Sequence, residues 1–175
     1  KICKGIGMNV AGYDPFLKQQ DIEGLGIKYY EDYRGLLQEC DVVSIHVPLT
    51  KETENMISKK ELSMMKKTAL LINTSRGGIV NEPDLVEALK NGVIAGAGLD
   101  VFCNEPPKLE DPLLDCPNLI ISPHSAAQTR EAVKKMAKMC VKGCLAVVNG
   151  KKWPYVADPT VYDHPKWEGA EWEEL

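Results

Sequence analysis

Ala69-Leu70-Leu71-Ile72 is followed by Asn81-Glu82-Pro83-Asp84-Leu85-Val86-Glu87-Ala88-Leu89, then Gly92, then Ile94-Ala95-Gly96-Ala97-Gly98-Leu99, and the architecture follows from this succession. The first run is apolar at every position over the length of a buried strand. Asn81 can cap a helix, Glu82-Pro83-Asp84 brings a proline and two acids to its first turn, and Leu85, Val86 and Leu89 point inward. Gly92 closes that helix, and the last run is a second strand. Strand, helix and strand in that order form the crossover unit of a parallel sheet.

The same alternation extends in both directions. Further strand-like runs are Asn9-Val10-Ala11-Gly12-Tyr13, Ile27-Lys28-Tyr29, Val42-Val43-Ser44-Ile45-His46 and Leu119-Ile120-Ile121. Apolar residues at consecutive positions predict strands covered on both faces. Ser58-x-x-Glu61 has the pattern of a capping box before Leu62 and Met65. Residues 128–149 carry Val133, Met136, Cys140, Cys144 and Val147 at helical spacing and end at Gly150. The predicted class is α/β, a doubly wound parallel sheet. Beyond Gly150 lie all three tryptophans (Trp153, Trp167, Trp172) and an acidic end. That tail either docks onto a second domain or subunit or packs back on its own domain.

Composition narrows the function classes. A chain of 175 residues, 44% hydrophobic and 26% charged, is one ordinary domain with material for a core. Its net charge of −4, with scattered Lys and Arg, argues against a nucleic-acid groove or a basic membrane patch. No apolar run reaches the ~18 residues of a membrane span, and Lys1-Ile2-Cys3-Lys4 is no signal peptide, so a soluble cytoplasmic protein is expected. The six cysteines contain no CxxC pair and are read as reduced thiols serving as small core hydrophobes. Cys140 and Cys144 share a helical face. A zinc site would need further ligands from His46, His124 and His164 alone, and no metal is expected.

Candidate chemistry gathers at strand ends. Asp14, in Tyr13-Asp14-Pro15, closes a strand where an acid can bond both hydroxyls of an adenine ribose; it is equally a common turn residue. Arg76 follows Asn73-Thr74-Ser75, Asp100 ends the glycine-spaced strand with Glu105 beyond it, and His124 follows Ser122-Pro123. If those strands are parallel neighbours, Arg76, Asp100 and His124 project a guanidinium, a carboxylate and an imidazole from one sheet edge, the edge where such sheets bind ligands. Together they suit a carboxylate-bearing substrate and a proton transfer.

Four motifs then occur in order: His46-Val47-Pro48-Leu49-Thr50; Ile72-Asn73-Thr74-Ser75-Arg76-Gly77-Gly78-Ile79-Val80; Gly98-Leu99-Asp100-Val101-Phe102-x-x-Glu105-Pro106; and Ser122-Pro123-His124-Ser125-Ala126-Ala127. In order and spacing they resemble the nucleotide-binding domain of the D-isomer-specific 2-hydroxyacid dehydrogenases. The His-Ser-Ala-Ala-Gln-Thr stretch is most similar to phosphoglycerate-dehydrogenase-type members. The resemblance implies a Rossmann-type fold and hydride transfer between NAD and a small D-2-hydroxy or 2-oxo acid, such as a 3-phosphoglycerate-like one. It implies His124 as general acid/base, Glu105 fixing the imidazole tautomer, and Arg76 clamping the substrate carboxylate. For NAD it implies Asp14 on the adenine ribose and Asp100 on the nicotinamide carboxamide. Val47, Pro48, Thr74, Ser75, Arg76, His124, Ser125, Ala126 and Ala127 would line the rest. A homodimer is implied for the full-length parent.

One departure is expected to matter. The family's glycine-rich phosphate loop should precede the Asp14 strand by about 20 residues, and it is absent. Gly5-Ile6-Gly7 reads instead as a helix-to-strand turn. The expectation is a chain that lacks the first, central strand and phosphate loop, with strands at residues 9–13 and 27–29 separated from the others. Residues 1–150 would then be a partial dinucleotide-binding domain and 151–175 a Trp-rich tail, the fragment being inactive by itself. The competing reading is an NAD-sensing, dehydrogenase-like binding or corepressor protein without turnover.

Overall fold

A computed structural model describes residues 1–174, in two compact units, Lys1–Ala126 and Ala127–Leu175. The first unit runs α1 (Ile2–Gly5), β1 (Ala11–Gly12), β2 (Lys28–Tyr29), α2 (Tyr33–Glu39), β3 (Val42–Ile45), α3 (Lys59–Met64), β4 (Leu70–Asn73), α4 (Glu82–Lys90), β5 (Gly96–Leu99) and β6 (Leu119–Ile121). All six expected strands form. They make two all-parallel sheets, a β1–β2 pair and a sheet ordered β3-β4-β5-β6. This is the expected separation, and Gly5-Ile6-Gly7 is indeed the turn from α1 toward β1, with Gly7 at φ 88.

Register fixes what matters for the site. Ile45 pairs with Asn73, Asn73 with Leu99, and Leu99 with Ile121. The carboxyl ends of four neighbouring strands therefore stand level, and the loops leaving them share one edge.

The helices form largely for the reasons written in their sequences. Asn81 Oδ1 accepts from the Asp84 N–H at 3.0 Å, capping α4, and Gly92 at φ 63 lets the chain leave it. At α3 the capping box is not made as expected. The Ser58 hydroxyl donates to Glu61 Oε2 at 2.7 Å instead of accepting from the helix backbone. Arg34 Nε lies 3.4 Å from Oε1 of this buried carboxylate.

Leu62, Leu85, Ala88 and Leu89 from α3 and α4 pack with Val43, Ile45, Leu71, Ala97 and Leu99, one face of the four-stranded sheet. The expectation of strands covered on both faces is corrected here. On the opposite face Val42 and Leu70 are each 41% exposed and Ile120 is 78% exposed. Helices α3 and α4 lie against the other face, and apolar runs alone do not report which face a helix covers.

In the second unit, α5 (Arg130–Val148) is capped by Thr129 Oγ1, which accepts from Ala132 N at 3.1 Å. It ends before Gly150, at φ 74. The tail that follows folds on itself and on α5. Trp153 lies against Gly143, where an added Cβ would sit 3.0 Å from the indole nitrogen. The Tyr162 hydroxyl accepts from Trp153 N and donates to Trp153 O, while its ring meets those of Trp167 and Trp172 edge-on at 5.2 Å. The cysteines are all free, as expected, but their expected core role fails. Cys3, Cys103, Cys140 and Cys144 are exposed, and only Cys40 and Cys116 pack against the core.

Candidate active site

The level strand ends bring most of the expected residues to one edge. His46, Val47 and Pro48 leave β3, Thr74, Ser75 and Arg76 leave β4, Asp100 and Glu105 follow β5, and Ser122 to Ala126 follow β6. Asp14 leaves β1, on the separate two-stranded sheet. Ala127 begins the second unit.

Two of these loops are joined by a side-chain hydrogen bond. Glu105 Oε2 lies 2.7 Å from His124 Nδ1, and Glu105 Oε1 accepts from the Phe102 N–H at 3.0 Å. The His124 bond, then the Phe102 N–H, hold the Glu105 carboxyl below the usual carboxylate range. An ionised carboxylate only accepts, so the imidazole carries its proton on Nδ1 toward Glu105. Both side chains are partly exposed, leaving the ring accessible at the sheet edge.

Asp100 is the buried anchor of the same loop pair, only 2% exposed. Its Oδ1 accepts from the Ser122 hydroxyl at 2.5 Å and Ser125 N at 2.9 Å, and its Oδ2 from Ala126 N at 2.8 Å. Burial pushes this carboxyl up, but the bonds from Ser122, Ala126 and Ser125 outweigh it and hold the group below its ordinary range. His124 sits within the turn so tied, at φ 50. A left-handed backbone costs a non-glycine residue roughly 1–2 kcal/mol, which the three charge-assisted bonds offset. Three donors leave Asp100 with one lone-pair site on Oδ2, so its first work is structural.

The Arg76 loop is shaped by a residue that sequence reasoning misses. Asn73, 2% exposed, accepts through Oδ1 from Ser75 N and the Ser75 hydroxyl and donates to Arg76 O at 2.9 Å. A polar residue closing an otherwise apolar strand run is the signal that marks it. Gly77 then passes so close to the next loop that an added Cβ would fall 2.0 Å from Phe102 O. Only glycine permits that approach, which sets the Arg76 turn beside the loop that carries Glu105. The Arg76 guanidinium is exposed, donates to Ser75 O at 2.7 Å, and forms no ion pair among the described residues. It is open to an anion.

Asp14 Oδ1 accepts from Phe16 N at 2.9 Å, and Oδ2 takes no bond among the described residues. Thr74 and Pro48 are exposed and Val47 half-buried. His46 turns its Nε2 to Ser44 Oγ at 2.9 Å. No group of His, Cys, Asp and Glu among the described residues is arranged to hold a metal.

Comparison with known proteins places the chain in a family. Residues 1–126, the whole first unit, match the family model for the D-isomer specific 2-hydroxyacid dehydrogenase NAD binding domain. The chain is 44% identical over 161 residues to a glyoxylate reductase of Thermococcus litoralis, covering 92% of this chain and 48% of that protein. It is 40% identical over 151 residues to a D-3-phosphoglycerate dehydrogenase of Methanocaldococcus jannaschii, covering 86% and 29%. The crystal structure of D-lactate dehydrogenase with NAD+ from Lactobacillus jensenii superposes with a TM-score of 0.80 at 36% identity, over 90% of this chain and 50% of that one. The chain thus spans half the length, or less, of the relatives it matches.

Proposed function

Because the chain belongs to the D-isomer specific 2-hydroxyacid dehydrogenase family, we propose that it forms the cofactor-binding and acid–base half of an NAD-dependent oxidoreductase acting on a small 2-hydroxy or 2-oxo acid. The observation that carries this reading is the 2.7 Å contact of His124 Nδ1 with Glu105 Oε2 at the carboxyl edge of the parallel sheet.

The residues fit the two ends of the cofactor and not its middle. Asp14, with Oδ2 open, suits the hydroxyls of the adenine ribose. The remaining Oδ2 site of Asp100, with Ser125 and Ala126, suits the nicotinamide end, and Val47, Pro48, Thr74 and Ser75 would line the path. The sequence has no Gly-x-Gly-x-x-Gly turn for the pyrophosphate. Bound NADH supplies the hydride. His124 gives a proton to the substrate's carbonyl oxygen in reduction and takes it back in oxidation. Glu105 keeps the imidazole in one tautomer and favours the charge that forms on it. Arg76 receives the substrate carboxylate, whose two oxygens its planar fork matches.

The relatives' names make glyoxylate and 3-phosphoglycerate the substrates to test first. No helix among the described residues is long and apolar enough to cross a membrane. Val133, Met136 and Val141 of α5, each at least half exposed, support burial against another polypeptide surface, as in a homodimer. The test is a chimera in which this chain replaces the matching 161 residues of the T. litoralis glyoxylate reductase. NADH-dependent reduction of a 2-oxo acid is expected, and a folded chimera that binds NADH without turnover would favour a binding protein.

A further inference from the structure

Ser122 has no role in the reading above, yet its hydroxyl makes one of the shortest bonds of the site. We infer that Ser122 is a positioning residue for His124, acting through Asp100; the inference rests on the acid–base role proposed for His124.

The turn is tied at several points. Ser122 N donates to Leu99 O at 2.9 Å, carrying the β5–β6 ladder one residue further. Asp100 N donates to Asn73 O at 3.0 Å, so the anchor itself is pinned to β4. Asp100 then holds the turn on both sides of His124. Ser122 Oγ reaches it from upstream at 2.5 Å, and Ser125 N and Ala126 N reach it from downstream at 2.9 and 2.8 Å. His124 N closes the turn onto Ser122 O at 3.0 Å.

Between Ser122 and His124 stands Pro123, whose ring locks its own φ. Rotation at Ser122 therefore swings Pro123 and His124 together. The Ser122 hydroxyl is a side-chain bond that restrains this hinge from the upstream side. Glu105, fixed by the Phe102 N–H, meets the ring from the other loop. The ring is directed by two carboxylates, one reached through backbone and Ser122, the other directly. Without the hydroxyl, Asp100 still holds Ser125 and Ala126. The turn would survive while the aim of the imidazole degrades.

The measurement is the tautomer of His124 in the full chain, by long-range proton–nitrogen correlation at alkaline pH, where imidazoles are neutral. With three histidines in the sequence, assignment needs one histidine substitution. Wild type should hold the proton on Nδ1. Ser122→Ala should raise the Nε2–H to Nδ1–H ratio at least about fivefold, and Ser122→Thr, which keeps the hydroxyl, should restore it. A purely stabilising role would lower the melting temperature and leave the ratio alone; an unchanged ratio in Ser122→Ala overturns the inference. If Ser122→Ala does not fold, Ser122→Cys, with its weaker donor, decides by the same ratio. In the chimera, Ser122→Ala should lower kcat about tenfold with KM within about twofold. A shifted tautomer in a chimera whose turnover ignores His124 would sink the acid–base reading, whereas an unshifted tautomer in a His124-dependent chimera would sink the Ser122 role alone.

Discussion

His124 Nδ1 and Glu105 Oε2 meet at 2.7 Å across the loops of two adjacent parallel strands, β5 and β6. The pair exists because Leu99 and Ile121 are level in the sheet and because each side chain has its own anchor, Phe102 N for Glu105 and the Asp100-bound turn for His124. Glu105→Gln keeps a hydrogen-bonding group, but its amide can offer Nδ1 either a donor or an acceptor, so one tautomer is no longer enforced. In the chimera it should lower kcat about tenfold, less than the 10²–10⁴-fold that loss of the acid–base group itself typically costs, with little change in KM. Steady-state kinetics checks this.

Arg76 is open, exposed and turned toward no acid among the described residues. Arg76→Lys keeps the charge and loses the planar fork, so kcat/KM for a 2-oxo acid should fall at least about tenfold, with KM rising. A smaller mono-alcohol or ketone substrate, lacking the carboxylate, should lose little. Comparing the two substrate types isolates the carboxylate contact.

On the proposed placement of Asp14 at the adenine ribose, this carboxylate discriminates between the two nicotinamide cofactors. A 2′-phosphate beside its unbonded Oδ2 would meet a like charge, and about 1.4 kcal/mol of such repulsion is already tenfold. NADH should therefore be preferred over NADPH by at least about tenfold in kcat/KM. Asp14→Ser should erode the preference, measured with both cofactors.

Asp100 predicts the acid limb of stability. Its carboxyl is depressed in the fold relative to the unfolded chain, so it contributes stability above its unfolded pKa of about 3.9, and that contribution is lost as pH falls through the lower folded value. Urea unfolding of the chain at pH 7 and pH 3 should show wild type losing stability toward acid. Asp100→Asn should be less stable at pH 7, by about 1–3 kcal/mol, with a flatter pH dependence.

Much of the fold and of the site is legible in the amino-acid sequence. The strand–helix–strand pattern around Asn81 and Gly92 announces parallel crossovers, and from parallel order alone Arg76, Asp100 and His124 have to share an edge. Local patterns are weaker where tertiary contacts choose. Ser58 and Glu61 have the spacing of a capping box, but the hydroxyl is taken by the carboxylate, which also faces Arg34 across from α2. Val42, Leu70 and Ile120 read as buried because strand hydrophobicity carries no information about whether a helix covers that face. The roles of Asn73 and Ser122 escape the sequence for separate physical reasons. Asn73 bonds the loop backbone that follows it, which its polar character at the end of an apolar run only hints at. The buried carboxylate that Ser122 bonds is fixed by strand register, which no residue pattern displays.

The acid–base role of His124 is the centre of the account, and the most direct test is kcat for a 2-oxo acid in the chimera with and without His124→Ala. Loss of a positioned acid–base group typically costs 10²–10⁴-fold. A fall of at least about a hundredfold, with NADH binding retained, is the predicted result; a fall of less than about tenfold would contradict it.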